Sequence, residues 1–180
     1  MDSAKKKNLL QLIVIACFSL AIIGGLLLIE PPADTQKLSQ TSQTNETMYA
    51  NSVMALAMPS SSLKINETII PYESSRFANT APANEAGLWM GSDSTTDNSY
   101  GYFIGHHPGI FDCVSTLTVG DKVVVCDMLG HKRMYTVRVL LDFPSSATWG
   151  NVKPFVSGYG ESIILQTCMG SAGRRVVVAN

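Results

Sequence analysis

The chain has 180 residues, 13 of them basic and 14 acidic, for a net charge of −1. That near-neutral balance, with no basic patch and no interleaving of aromatic and basic residues, excludes nucleic-acid binding as the main function. Only 15% of the residues are charged and Ser, Thr and Asn are plentiful, a composition suited to a β-rich extracellular domain.

Lys5, Lys6 and Lys7 precede an uncharged, mostly apolar run over residues 9–29. About 20 apolar residues in a helix cross a bilayer core, so this run is expected to be a transmembrane anchor. Residues 1–8 then form a basic tail kept in the cytoplasm by the positive-inside tendency. A cleavable signal peptide has a shorter apolar region ending at a small-residue site, whereas Glu30-Pro31-Pro32 ends this one. Val14 to Cys17 faintly matches a lipoprotein cleavage box, but the apolar run continues well past Cys17.

Residues 30–62 are polar and read as an extracellular stalk, with a short helix expected somewhere in 45–58. Asn-Glu-Thr triplets at Asn45 and Asn66 are read as chance matches to glycosylation acceptors. Residues 63–180 change texture to short runs rich in Val, Ile, Tyr and Phe, separated by Gly, Pro, Asp or Ser. Strands are expected at 64–71, 100–104, 122–127, 134–141, 162–168 and 175–179. Asp127 to His131 reads as a hairpin turn with Gly130 at the tight position. Residues 144–160, with Gly, Pro and Ser throughout, read as a long mobile loop carrying Trp149 and Phe155. The fold class is all-β, a barrel or a sandwich.

Four cysteines occur, Cys17, Cys113, Cys126 and Cys168, with no CxxC pair and no zinc-type spacing. Cys17 lies in the apolar run, and an odd number beyond it suggests a free thiol. A Cys113–Cys126 disulfide and two buried thiols both stay open. The stretch from Ile163 to Ala179 is an apolar strand ending in Cys168, a short Gly/Ser turn, and a second strand opening with Arg174 and Arg175. Paired side by side, these strands bring a thiol close to a guanidinium, and cations in general favour the reactive thiolate form of cysteine. Strand alternation lets only one of the two arginines face that cysteine. Of the three histidines, His131 lies in the hairpin turn. His106 and His107 follow the apolar strand Tyr102-Phe103-Ile104-Gly105, and strand ends leading into loops often present catalytic groups. The plainer reading of both is ordinary polar loop residues.

Across residues 65–180 these features together resemble the sortases, membrane-anchored cysteine transpeptidases of Gram-positive-type bacteria. Gly105-His106 resembles the family's Gly-His step, and Phe111, Leu117 and Gly120-Asp121 resemble the spacing that follows it. Leu165-Gln166-Thr167-Cys168 resembles the L-x-T-C signature, and Arg174 with the strand after it resembles the final arginine strand. The resemblance implies a closed barrel of about eight strands with short helices in its loops. It implies Cys168 as nucleophile, His106 rather than His107 as general acid/base, and Arg174 as the residue steadying the substrate carbonyl; Arg174 is preferred to Arg175 because Ala179 follows it at the family's spacing. It also implies cleavage of a C-terminal sorting motif of the Leu-Pro-x-Thr-Gly kind and transfer to an amine, either a peptidoglycan precursor or a pilin lysine. No cofactor or metal is expected, and Asp93, Asp97, Asp112 and Asp142 read as surface charges rather than calcium ligands. The turn after Cys168 is shorter than in many family members, and residues 88–100 match the family pattern poorly. Two alternatives are a cysteine peptidase on the same fold, releasing product to water, and a non-catalytic barrel that binds a wall component.

Overall fold

The runs of β-branched and aromatic residues fold as strands because side chains alternating across a pleat can pack on both of its faces. The computed structural model describes Asn45, Thr47, Met48, Asn51 and residues 57–180. Asn45, Thr47, Met48 and Asn51 are helical and exposed. The expected anchor at 9–29 and most of the expected stalk lie outside the described residues. Among the described residues, no helix is long and apolar enough to cross a membrane.

Eight strands form among the described residues: β1 (Ser62–Ile65), β2 (Thr68–Ser74), β3 (Ala86–Gly91), β4 (Tyr100–Gly105), β5 (Lys122–Cys126), β6 (Lys132–Phe143), β7 (Ser162–Cys168) and β8 (Arg174–Ala179). They close into a barrel in the order β1-β2-β3-β4-β7-β8-β6-β5. Closure leaves no open sheet edge. Two short helices interrupt the strands, α1 (Asp112–Ser115) and α2 (Trp149–Val156).

Three expectations change. The single strand expected at 64–71 is a hairpin, β1–β2, which turns at Asn66-Glu67 with Ile65 opposite Thr68. Asn66 adopts a positive φ of 53°, a conformation asparagine tolerates and most residues avoid. Strand β3 was not expected, since two glycines punctuate its short apolar run. It is fixed by parallel pairing to β2, with Tyr72 opposite Ala86, and by antiparallel pairing to β4. The expected mobile loop at 144–160 contains helix α2. The Asn151 side chain accepts the Thr148 backbone N–H at 2.8 Å, which closes the first turn, and Val152 and Val156 share one buried face.

The barrel interior holds Leu63, Ile65, Phe103, Phe111, Leu165 and Val177, among others. The alternate residues of β4, β7 and β8 face outward. Tyr102, Ile104, Ile164, Val176 and Val178 form a second layer, and α2 covers it with Val152 and Val156. Burying each such valine contributes roughly 1.5–3 kcal/mol. The helix therefore roofs one outer face of the barrel, and a groove opens where that roof ends.

Candidate active site

Strands β4 and β7 run parallel, with Gly105 opposite Thr167. The next residue on each chain is His106 and Cys168. Strands β7 and β8 run antiparallel, with Cys168 opposite Arg174. Three residues from two distant parts of the sequence thus stand at one end of three neighbouring strands. All three line a single groove of about 340 Å³.

Local packing sets each of them. Gly105 lies flat on the Phe111 ring, where a Cβ would strike the ring, so only glycine allows the chain to leave β4 here. The Phe111 N–H donates to the His106 carbonyl at 2.9 Å, closing a turn, and Thr167 Oγ1 donates to the Gly105 carbonyl at 3.0 Å, tying the ends of β4 and β7 together. His106 Nε2 lies 2.9 Å from the Ala81 carbonyl. A carbonyl only accepts, so Nε2 carries a proton, and Nδ1 is the ring atom left for proton transfer. Between Cys168 and Arg174 the chain makes one turn of 3-10 helix, Gly170–Ala172. Gly173 then takes a φ of 115°, and a Cβ on it would strike the Phe143 carbonyl.

Arg174 donates from Nη1 to the Ala147 carbonyl at 3.1 Å and from Nη2 to the Ser145 carbonyl at 3.0 Å. This orients the guanidinium and leaves Nε–H and one hydrogen on each Nη for a ligand. Arg175 takes the other face. It grips Asp142 through two bonds of 2.9 Å and donates to the Ser115 carbonyl at 2.7 Å. That bidentate pairing holds the Asp142 carboxyl below its usual range and raises Arg175 further. His107 is also outside the groove, 2.9 Å from Asp112 Oδ1. His131 pairs with Asp127 at 3.2 Å.

Cys168 is exposed, Cys126 is buried and Cys113 lies between. None is in a disulfide, and burial raises the Cys113 and Cys126 thiols above the ordinary cysteine range. The four aspartates weighed as calcium ligands belong to separate hydrogen-bond sets: Asp93 with Tyr72, Asp97 with Ser99, Asp112 with His107 and Gly109, and Asp142 with Arg175.

The groove walls hold residues that the sequence reading passed over. Trp89, Tyr102 and Trp149 meet edge to face, with ring centroids 5.3, 5.7 and 6.0 Å apart, and all three line the groove. Trp149, read from sequence as either groove wall or core, both lines the groove and packs against the outer core layer. The β2–β3 connection contributes Phe77 to Ala81. Gln166 and Tyr102 face the groove on the strands that lead to Cys168 and His106. Stepping back two residues at a time from Cys168 reaches Gln166, so alternation alone carried that signal.

No protein-family model matches this sequence, and no curated protein matches it. Solved structures do share its fold. Sortase A from Corynebacterium diphtheriae, a lid mutant, aligns with a TM-score of 0.53 at 17% identity over 69% of this chain and 71% of that one. Listeria monocytogenes sortase A gives 0.52 at 19% identity, over 66% and 83%. The pilus-related sortase C of Group B Streptococcus gives 0.53 at 13%, over 81% and 89%. The fold is that of the sortases, a mostly stranded, closed eight-strand barrel.

Proposed function

We propose that this sortase-fold protein is a cysteine transpeptidase that cuts a C-terminal sorting motif of the Leu-Pro-x-Thr-Gly kind and passes the new carboxyl end to an amine. One observation carries the reading: the strand registers bring His106, Cys168 and Arg174 to a single groove. Cys168 attacks the scissile carbonyl as a thiolate, and the carbonyl π electrons move to oxygen. Arg174 N–H groups stabilise that oxyanion; a fixed donor of this kind typically lowers a barrier by about 3–4 kcal/mol. As the C–N bond breaks, His106 protonates the departing amine and a thioester remains on Cys168. The acceptor amine then attacks the thioester, His106 takes its proton, and the thiolate leaves.

In this reading residues 9–29 anchor the chain in the cell membrane, residues 30–62 lift the barrel off it, and the barrel works on the extracellular side. The substrates are proteins carrying a sorting signal, and the acceptor is a peptidoglycan precursor or a pilin lysine.

The test is a sorting-peptide panel with added amines. Cys168→Ala is expected to abolish cleavage, and wild-type protein is expected to give amine-linked product in preference to hydrolysed product. Turnover retained in Cys168→Ala sinks the assignment, and a product that ignores the amine makes the protein a peptidase. A thiol-reactive probe should label Cys168 in the folded protein and reach Cys126 only on unfolding.

A further inference from the structure

We propose that Gln166 determines specificity in this groove: with Tyr102 fixing its amide, its N–H donors read a side-chain hydroxyl on the substrate residue whose carbonyl Cys168 attacks. This deepens the transpeptidase reading and rests on it.

Gln166 and Cys168 lie two residues apart on β7, so they share the outward face, about 6.6 Å apart along the strand. Both line the groove. With both side chains on one face of the groove, a substrate residue whose carbonyl meets the sulfur can lay its side chain toward the amide. Tyr102 is buried on the neighbouring strand and donates from its hydroxyl to Gln166 Oε1 at 2.8 Å. Burial raises the Tyr102 phenol well above its usual range, opposed by the Arg174 cation, so the phenol keeps its proton and stays the donor. An amide offers one oxygen and one NH2. With the oxygen committed to Tyr102, the NH2 edge is what Gln166 has left to offer, and no protein acceptor among the described residues takes it.

The surroundings define the ligand. Among the described residues no carboxylate side chain lines the groove, and Arg174 already gives part of its guanidinium to Ala147 and Ser145. A neutral donor pair beside apolar rings suits an uncharged oxygen. A hydrocarbon isostere would strand those N–H groups, and an unmet buried donor is penalised more than a met one is rewarded.

The experiment compares capped Leu-Pro-Ala-Thr-Gly with Leu-Pro-Ala-Val-Gly, which differ by hydroxyl against methyl. Full-length wild-type protein should prefer the threonine peptide in kcat/KM by roughly tenfold. The near-isosteric Gln166→Met should bring that ratio close to one. Tyr102→Phe frees the amide to rotate and should lower the ratio part of the way, through KM rather than kcat. An unchanged ratio in Gln166→Met overturns the proposal. A second readout needs no turnover: the side-chain amide NMR signals of Gln166 in full-length Cys168→Ala protein, held in detergent micelles, should shift with the threonine peptide and not with the valine peptide. If neither peptide is cleaved by wild type, the Leu-Pro-x-Thr-Gly reading fails, and the amide signals alone decide Gln166. A shift selective for threonine upholds its role, and equal or absent shifts overturn it.

Discussion

At the residue scale, the adjacent arginines show how one step along a strand separates two roles. Arg174 lines the groove with its guanidinium steered by two loop carbonyls. Arg175 points to the opposite face and joins β8 to β6 and to the end of α1. Arg174→Gln is expected to lower peptide turnover about a hundredfold, the scale of losing one fixed oxyanion donor. Arg175→Gln should keep most turnover per folded molecule but melt at a lower temperature, since a bidentate charged pair and a carbonyl contact are lost. Turnover and thermal melting of the two variants, measured side by side, check this; equal losses of activity would break the assignment of opposite faces. The Ala81 carbonyl on His106 Nε2 belongs to the same scale, because a single backbone acceptor decides which ring nitrogen is occupied and which is left open.

At the scale of elements, the β5–β6 hairpin and helix α2 repay comparison. Both were read from the same turn-forming residues, and only the hairpin kept its expected shape. The reason is local closure. Asp127 accepts from the backbone N–H groups of Leu129 and His131 within its own turn, and from the Thr95 N–H and hydroxyl across the barrel end. Burial alone would raise the Asp127 carboxyl, but the His131 and Thr95 N–H groups, with the His131 imidazole, outweigh it and hold it below its usual range. A carboxyl depressed in the folded state contributes stability above its unfolded value of about 3.9, and that contribution is lost as pH falls through the folded value. Asp127→Asn should therefore melt lower than wild type at neutral pH, by about 1–3 kcal/mol, because its NH2 would face other donors. The gap should narrow as pH falls below about 4. Melting curves across that range test the sign; a gap that widens in acid would be the wrong one. Helix α2 has no such self-contained network. Its two buried valines are held by the outer layer of β4, β7 and β8, a partner that local sequence cannot show.

At the scale of the whole molecule, closure is the organising fact. β1 is four residues long, yet it pairs with β2 on one side and β5 on the other and so joins the two ends of the sheet. A chain starting at residue 57 is expected to unfold in one cooperative transition, whereas one starting at residue 66 should lose the barrel, because β2 and β5 would become open edges. Circular dichroism melts of the two truncations decide this; a cooperative melt from the shorter one would show that β1 is dispensable. The sequence by itself determined much. The strand class, the Asp127–His131 turn, the strand-end positions of His106 and Cys168, and the rule that only one arginine can face the thiol all follow from period-2 patterning and turn chemistry, which are local. Tertiary structure alone decided the split at Asn66, the existence of β3, the folding of 149–156 as a helix, and the free thiols at Cys113 and Cys126. It also decided which side chains wall the groove and which carbonyl holds His106. Each of these depends on contacts between residues far apart in the chain, made only once parallel β4 and β7 set Gly105 beside Thr167 and α2 has an outer face to cover.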